Sequence, residues 1–198
     1  MEIPENMIKH IEKINNGEYD IPYDHPKPVI LDIGGNIGGF AVWANNKWKN
    51  ATIYSYEPIK SNFDLLKKNT KDIDNVFTVN VAVGSKSEKK QMFYGLNNIG
   101  ECSFYKGVEQ TDQTEIVDVM CGELLPKANI VKIDTEGAEI EILKSMTFEP
   151  EVFLIEYHSA ENRRIIDNLL QKYTLIGGSI SAQTGVVKYA LSSLIKYV

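Results

Sequence analysis

Four short apolar runs, each ending in polar or acidic residues, restrict the fold of this sequence more than any other feature. The runs are VILDIGG at 29–35, TIYSYEP at 52–58, NIVKIDTEG at 129–137 and VFLIEYH at 152–158. Each has the length of a buried strand, and the absence of strict alternation is typical of strands covered on both faces. The segments between them space their apolar residues as helices do. The sequence therefore predicts an α/β fold built from βαβ units around a mostly parallel sheet.

Weaker patterns extend this element order. Residues 76–83 and 113–120 each read as one further strand, and YTLIGGSI and GVVKYALS near the C-terminus predict an antiparallel hairpin at the edge of the sheet. Residues 94–112 are rich in Gly, Asn and polar residues and have no sustained period, so we expect a long loop there, of the kind that is functional or mobile.

The length of 198 residues fits one globular domain. We expect residues 1–28 to form a helix and an extended lead-in, and residues 29–198 to form the catalytic domain. The lead-in carries Tyr19, Tyr23 and His25. It could serve as a lid over a ligand, formed by these side chains, or as a tether that packs along the sheet.

The composition argues against several classes of protein. Lys and Arg total 21 against 27 Asp and Glu, so the formal net charge is -6, opposite to the basic footprint of nucleic-acid binders. Two cysteines, Cys102 and Cys121, are too few for a disulfide scaffold. Neither a signal-peptide pattern nor a run of about 18 apolar residues is found, so we expect a cytoplasmic protein without a membrane span. The sequence leaves the oligomeric state open.

A glycine-rich stretch, Asp32 to Phe40, follows the first strand and opens a helix. Such glycines let the backbone approach a ligand closely. Asn36 stands where a dinucleotide fingerprint needs its second glycine, which disfavours a nicotinamide oxidoreductase. Asp32 lies two positions before the first glycine, where its carboxylate would meet a ligand ammonium. We expect cofactor contacts from the following residues of this stretch: Asp32, Gly34, Gly35, Asn36, Gly38 and Phe40.

Glu57 ends the second predicted strand, at the edge where α/β sheets place a carboxylate against ribose hydroxyls. Acids at the ends of two neighbouring strands suit a nucleoside that carries an amino acid, and S-adenosylmethionine is the obvious such ligand. We expect its methionine end near Asp32 and Gly34 and its ribose on Glu57, beside Pro58. The adenine should then lie near the end of the third strand, with Asn80 and Ala82.

These motifs resemble those of class I S-adenosylmethionine-dependent methyltransferases, and more narrowly the FkbM family. The resemblance covers roughly residues 29–158, and its most specific part is the D-x-E-G-x-E run at 134–139. It implies a Rossmann-like, seven-stranded sheet with helices on both faces and a bound S-adenosylmethionine. It also implies methylation of a hydroxyl on a sugar, a glycan or another small molecule.

Methylation of a hydroxyl needs a base or a metal to assist removal of its proton. We predict Asp134 closest to the transferred methyl or the acceptor, also touching the cofactor, and His158 or Glu136 as the group that takes the proton. These three side chains could instead hold a divalent ion, although we predict no metal. Glu136 could also be only a favourable charge at a helix start. Glu139 is expected on the solvated surface of that helix.

Two alternative functions stay open. The first is a methyltransferase that acts on nucleic acid or protein, which is disfavoured by the acidic charge and by D-T-E-G at 134–137 where amino-methylating enzymes carry an N/D-P-P-Y/F motif. The second is a module that binds S-adenosylmethionine without catalysis. The expected partner is therefore a small-molecule or glycan acceptor.

Overall fold

The computed structural model describes residues 1–96, 101–107, 110–179 and 181–195. Its α-helices are α1 (Ile8–Asn15), α2 (Gly39–Lys47), α3 (Lys60–Thr70), α4 (Glu139–Ser145) and α5 (Ala160–Leu169). Its strands are β1 (Val29–Ile33), β2 (Thr52–Tyr56), β3 (Val76–Val79), β4 (Ala82–Gly84), β5 (Glu88–Gly95), β6 (Gln110–Cys121), β7 (Ile130–Ile133), β8 (Val152–Tyr157), β9 (Tyr173–Ser179) and β10 (Gly185–Leu191). No helix in these ranges is long and apolar enough to cross a membrane.

The main sheet has seven strands in the order β3-β2-β1-β7-β8-β10-β9. Strands β1, β2, β3, β7 and β8 pair in parallel, whereas β10 is antiparallel to both β8 and β9. This arrangement confirms the predicted mostly parallel sheet with an antiparallel strand from the C-terminal hairpin.

Each face of the main sheet carries its own apolar cluster. Ile30, Ile130 and Leu154 point to the face covered by α1 and α2. Their sequence neighbours Leu31 and Val131 point to the opposite face, where α4 and α5 pack. Successive residues of a strand face opposite ways, so a strand buried on both faces must be apolar throughout. This explains the unbroken apolar runs in the sequence.

The prediction of one strand over 76–83 is wrong, because this segment divides between two sheets. β3 pairs with β2 in the main sheet, while β4 joins β6 and β5 in a separate three-stranded sheet. The chain turns at Asn80, whose side-chain amide donates to the carbonyl oxygens of Glu57 and Pro58 at 2.8 and 2.9 Å. These bonds tie the turn to the end of β2, which a run of β-formers does not reveal.

The second sheet also limits the predicted loop at 94–112. β5 continues to Gly95, β6 begins at Gln110, and a backbone bridge joins Phe93 to Ser103. Residues 97–100 and 108–109 of the predicted loop lie outside the described residues. The strands of this sheet pair over 88–95 and 110–119, so both ends of the predicted loop belong to strands.

The N-terminal segment docks on α2. Met7, Ile11 and Ile14 are buried and lie on the inner face of α1 and the turn before it. At Gly39 an added Cβ would lie 2.4 Å from Ile11 Cδ1, so this glycine permits the close approach of the two helices. Tyr19, which is fully buried, packs edge-on against Phe40 with ring centroids 5.2 Å apart.

We expect Gly34→Ala to destabilise the fold strongly. Gly34 has φ +81°, and an added Cβ would lie 1.8 Å from the carbonyl oxygen of Asp134, which is backbone and cannot move aside cheaply. The expected loss is about 2–4 kcal/mol of unfolding free energy, measured by urea denaturation.

Gly177→Ala is the matched control, because its added Cβ meets nothing closer than Lys188 Cδ at 3.8 Å. It should change the unfolding free energy by less than about 1 kcal/mol. Equal losses in the two variants would contradict the proposed close approach of Gly34 to Asp134.

Candidate active site

A cavity of about 370 Å³ opens at the carboxyl ends of the central parallel strands. Its floor is formed by the turns after β1, β2 and β7 and by the end of β8. Side chains of α1 form one wall, and residues of the second sheet and its connection form another. The residues that line it include Asn6, Lys9, His10, Lys13, Gly34, Asn36, Tyr56, Glu57, Pro58, Val81, Ala82, Val83, Met92, Cys102, Phe104, Asp134, Thr135, Glu136 and Glu156.

The glycine turn after β1 is fixed by backbone hydrogen bonds. The N–H groups of Gly34 and Gly35 both donate to the carbonyl oxygen of Tyr56, at 3.0 and 2.8 Å. Asn36 follows in the left-handed region with φ +47°, an uncommon conformation for a residue with a side chain. The turn is therefore held in one shape beside the ends of β2 and β7.

Lys132, inside β7, joins the two aspartates of the site. Its side chain is 3% exposed, and Nζ lies 3.2 Å from Asp32 Oδ1 and 3.4 Å from Asp134 Oδ2. Nζ also donates to the carbonyl oxygen of Gly34 at 2.6 Å. Burial would lower the pKa of Lys132, but the charges of Asp32 and Asp134 outweigh burial and raise it. The ammonium therefore stays charged and cross-links β1, the glycine turn and β7.

Asp32 lies behind the glycine turn instead of lining the cavity. It is fully buried, and its Oδ2 accepts a hydrogen bond of 2.6 Å from Ser55 Oγ. Asp134 does line the cavity. Burial would raise the pKa of Asp134, yet nearby positive charge, above all the ammonium of Lys132, holds it below its ordinary value. Asp134 thus presents a carboxylate to the cavity.

Glu57 stands at the end of β2 with both carboxylate oxygens engaged by backbone. Oε2 accepts from the N–H of Asn36 and Oε1 from that of Ile59, each at 2.9 Å. Burial is the main reason that the pKa of Glu57 is raised to about 7, and the two hydrogen bonds limit the rise. The carboxylate is therefore fixed in position and close to its midpoint of titration at neutral pH.

Glu136, Glu139 and His158 form an ion-pair cluster at the ends of β7 and β8. His158 Nε2 lies 3.0 Å from Glu136 Oε2, and Nδ1 lies 3.3 Å from Glu139 Oε1. Burial would lower the pKa of His158, but the two glutamates outweigh it and raise the pKa to about 11. The ring is an imidazolium at neutral pH, and in that state it donates hydrogen bonds and accepts no proton.

Glu139 shapes the turn that carries Glu136. It is fully buried, so the expectation of a solvated position is wrong. Its Oε1 accepts from the N–H of Gly137 at 2.8 Å and from Thr135 Oγ1 at 3.1 Å. Ser103 donates to the carbonyl oxygen of Glu136 at 2.6 Å, and Glu136 itself has φ +54°. These contacts explain how the loop holds a non-glycine residue in the left-handed region.

The structure also shows how the possible cation ligands are arranged. One ligand atom from each of Asp134, Glu136 and His158 lies within 4.8 Å of the others. The spacing would suit a divalent ion, but His158 is already paired with Glu136 and Glu139. Our expectation that no metal is bound stays a prediction.

Of the residues predicted from sequence, about half meet at the cavity. Those that line it are Gly34, Asn36, Glu57, Pro58, Ala82, Asp134 and Glu136. Those that do not line it are Asp32, Gly35, Gly38, Phe40, Asn80 and His158. Phe40 packs with Tyr19 beneath the site, and Asn80 braces the turn at Glu57 and Pro58.

Sequence reasoning missed the wall formed by α1. Lys9, His10 and Lys13 of α1 line the cavity, as does Asn6 in the turn before this helix. Burial is the main cause that lowers the pKa of His10 below its ordinary value. The pattern of the helix indicates a polar face but gives no information on where that face docks. Lys132 was also missed, although a lone charged residue within an apolar strand was a usable signal.

The sheet order and the cavity at its carboxyl edge define the class I methyltransferase fold. Similar structures include precorrin-6y C5,15-methyltransferase from Geobacter metallireducens (TM-score 0.55, 13% identity, covering 96% of this chain and 93% of that one). Aeropyrum pernix fibrillarin, solved with bound S-adenosyl-L-methionine, has a TM-score of 0.55 at 10% identity and covers 92% of this chain and 74% of that one. At these identities the similarity shows the fold alone.

The family is shown by sequence. Residues 32–174 match the methyltransferase FkbM domain, and the chain belongs to this family. It is 26% identical over 156 residues to the hexuronic acid methyltransferase AglP of Haloferax volcanii, covering 74% of this chain and 63% of that protein. Methyltransferase 1 of Beauveria bassiana is 25% identical over 157 residues, which cover 66% of this chain and 63% of that protein. The chain thus spans less than two thirds of the length of these curated relatives.

We expect the ion pairs of His158 to give a stabilisation that depends on pH. The folded pKa of about 11 lies above the ordinary value of 6.5, so the contribution is fully present below pH 6.5 and is lost as the pH rises towards 11. The difference in unfolding free energy between the parent and His158→Gln should therefore be largest at pH 6 and shrink at pH 8 and pH 10, as measured by urea denaturation.

His25→Gln serves as the control, since His25 lies in the lead-in and stacks on Tyr23. Its effect should not follow the same pH trend. A His158 difference that stays constant or grows between pH 6 and pH 10 would show that the ring is not held as an imidazolium.

Proposed function

We propose that the protein transfers the methyl group of S-adenosylmethionine to a hydroxyl oxygen of a sugar, a glycan or another small molecule. The observation that carries the proposal is the cavity itself, where the fixed carboxylate of Glu57, the glycine turn and Asp134 line one space. Family membership supports methyl transfer, and the hexuronic acid methyltransferase among the relatives supports a sugar acceptor.

The nucleoside end of the cofactor is proposed to lie over β2 and β4. Glu57 has its position set by two backbone N–H groups, and its remaining lone pairs can accept hydrogen bonds from both ribose hydroxyls. Pro58, Ala82, Val83 and Met92 provide an apolar part of the cavity for the adenine. A flat aromatic base gains from such burial, whereas the hydroxyls need the carboxylate.

The amino-acid end is proposed to lie at the glycine turn, between Gly34 and Asp134. Asp134 lines the cavity and is held ionised, so it suits a ligand ammonium or the nearby sulfonium. Asp32 supports this end indirectly, because it holds Lys132 and thereby the carbonyl oxygen of Gly34. The role proposed for Asp32 is therefore positioning and not direct contact.

In the transfer, the acceptor oxygen forms a bond to the methyl carbon while the sulfur–carbon bond breaks. The electron pair of the broken sulfur–carbon bond stays on sulfur, which gives S-adenosylhomocysteine. The hydroxyl proton passes to a base. We propose Glu136 as that base, because it lines the cavity and burial is the main cause that raises its pKa. His158, paired to both Glu136 and Glu139, would then orient Glu136.

Other functions have less support. A nucleic-acid acceptor fits poorly with a net charge of -6, and a module without catalysis would leave the ordered cluster around Glu136 without a role. We propose the cytoplasm as the compartment, on the sequence features alone.

Calorimetry with S-adenosylhomocysteine and, separately, with NAD tests the proposed cofactor. We expect heat of binding with the first ligand and none with the second, because Asn36 replaces the second glycine of a dinucleotide fingerprint. Absence of binding by S-adenosylhomocysteine would overturn the proposed function.

The same titration should depend on pH through Glu57. Its raised pKa of about 7 means that the carboxylate gains charge between pH 6 and pH 8, so S-adenosylhomocysteine should bind more tightly at pH 8. Glu57→Gln should weaken binding at pH 8 by about tenfold, since hydrogen bonds to a charged acceptor exceed those to a neutral one by about 1.5 kcal/mol. It should also flatten the pH dependence.

Glu123→Gln, an exposed position after β6, is the control and should bind like the parent. A Glu57→Gln variant that keeps the parental affinity and pH profile would exclude the ribose contact.

The base is tested by turnover with an acceptor identified from a product mass gain of one methyl in sugar and glycan extracts. Glu136→Gln should lower kcat by about 10²-fold or more, the usual contribution of a general base, while the affinity for S-adenosylhomocysteine stays within about twofold. Parental turnover in this variant would refute the assignment of Glu136.

A further inference from the structure

The turn that carries Glu136 has a backbone conformation that depends on its surroundings. Glu136 and Gly137 are consecutive residues with positive φ, +54° and +114°. The left-handed region is unfavourable for a glutamate, so this conformation persists only where neighbouring groups fix it. Glu136 also lines the cavity, so the groups that fix the turn decide where its carboxylate lies.

One side of this turn is held by Ser103, which is 4% exposed. Its Oγ donates to the carbonyl oxygen of Glu136 at 2.6 Å and accepts from the N–H of Tyr105 at 3.1 Å. A serine hydroxyl has a single proton to donate, and here that proton is directed to Glu136. Removal of the hydroxyl therefore takes away this restraint on the peptide group of Glu136.

The backbone of Ser103 is itself fixed to the second sheet. Phe93 of β5 donates its N–H to the carbonyl oxygen of Ser103 at 2.8 Å and accepts from the N–H of Ser103 at 3.0 Å. Both distances are ordinary for backbone hydrogen bonds. The hydroxyl of Ser103 thus reaches the turn from a defined place on a strand.

The neighbouring residues add to this link, and we call residues 102–105 the strap. Tyr105 donates its hydroxyl to Glu141 Oε1 of α4 at 2.8 Å. Cys102 and Phe104 line the cavity. The strap is therefore a wall of the cavity that is also bonded to the helix following the turn.

Glu136 is held at both ends by these contacts. Its carbonyl oxygen is bonded to Ser103, and its Oε2 lies 3.0 Å from His158 Nε2. Glu139 bonds the residues on either side of Glu136 in the turn. A general base acts only within hydrogen-bond reach of the proton that it takes, so restraints on its main chain and on its carboxylate both bear on the rate.

We propose that Ser103 is a positioning residue for methyl transfer, which holds the main chain of Glu136 on the second sheet so that the carboxylate reaches the acceptor hydroxyl. This inference rests on the proposed function and deepens it, because it adds a residue that does not line the cavity. Ser103 takes no proton and touches neither substrate. Its effect on the rate passes through Glu136.

Ser103→Ala tests this link by turnover with the acceptor identified from a mass gain of one methyl. We expect kcat to fall by about tenfold, because a misplaced base loses its alignment with the hydroxyl. The affinity for S-adenosylhomocysteine should stay within about twofold, since the proposed cofactor contacts lie elsewhere. Ser103→Cys puts a weaker donor at the same place and should give a kcat between those of the parent and Ser103→Ala.

A double-mutant cycle distinguishes positioning from a merely structural role. In a Glu136→Gln background, Ser103→Ala should change kcat by less than about twofold, because no base is left to position. A general loss of stability would instead lower kcat by the same factor in both backgrounds.

Ser145→Ala is the matched control. The Ser145 hydroxyl also links the second sheet to α4, through the carbonyl oxygen of Gly84 at 3.1 Å, but it lies at the opposite end of this helix from Glu136. Its loss should leave kcat within about twofold of the parent.

Amide hydrogen exchange gives a readout that needs no acceptor. The N–H of Gly137 donates to Glu139 Oε1 at 2.8 Å, within the turn that Ser103 restrains. Its exchange should be about tenfold faster in Ser103→Ala, the factor that corresponds to the loss of one ordinary hydrogen bond. Ser145→Ala should leave this rate unchanged.

The proposal is overturned by parental kcat in both Ser103 variants, by equal losses of kcat in the two backgrounds, or by an unchanged exchange rate at Gly137 in Ser103→Ala. Parental turnover in Glu136→Gln alone would refute the base and, with it, the role of Ser103. Absence of S-adenosylhomocysteine binding by the parent refutes the proposed function as a whole, so the three failures are distinguishable.

Discussion

The buried ammonium of Lys132 is the contact on which the rest of the site depends. It lies between Asp32 and Asp134 and also donates to the carbonyl oxygen of Gly34. Two carboxylates at adjacent strand ends would repel each other in a poorly solvated interior, and a fixed cation between them attracts both and offsets part of that repulsion. Removing one member of such a buried set is costly because the others are left without compensation. The glycine turn therefore owes its position to a charge balance as well as to backbone hydrogen bonds.

The cavity is assembled from parts that are far apart in the sequence. The parallel strands supply Glu57 and Asp134, the second sheet supplies Met92 and Cys102, and α1 supplies His10. A second sheet whose connection reaches over the strand ends also reaches Glu136, through the hydrogen bond from Ser103. The turn at Glu136 and the cavity wall are thus linked, and neither is formed by a single element. Such an arrangement fixes geometry more firmly than a site built on one loop.

The sequence allowed the main sheet to be predicted because apolar runs that are buried on both faces leave a strong pattern. The family followed from motifs at the strand ends, where Asp32, Glu57 and Asp134 stand in order. The errors share a physical cause, namely contacts between distant residues. Asn80 divides a β-rich segment by bonding the end of β2, and Glu139 is buried because His158 and the turn at Gly137 compensate its charge. Propensity and periodicity contain no information on such partners.

The docking of α1 has a thermodynamic consequence. The helix has eight residues, too few to be stable alone in water, and it is held mainly by Met7, Ile11 and Ile14. Its detachment costs less than unfolding of the sheet, so it belongs to the least protected part of the chain. Any ligand that touches His10 or Lys13 binds only the docked form and therefore increases the population of that form by mass action. A ligand in the cavity therefore slows amide hydrogen exchange in the first fifteen residues.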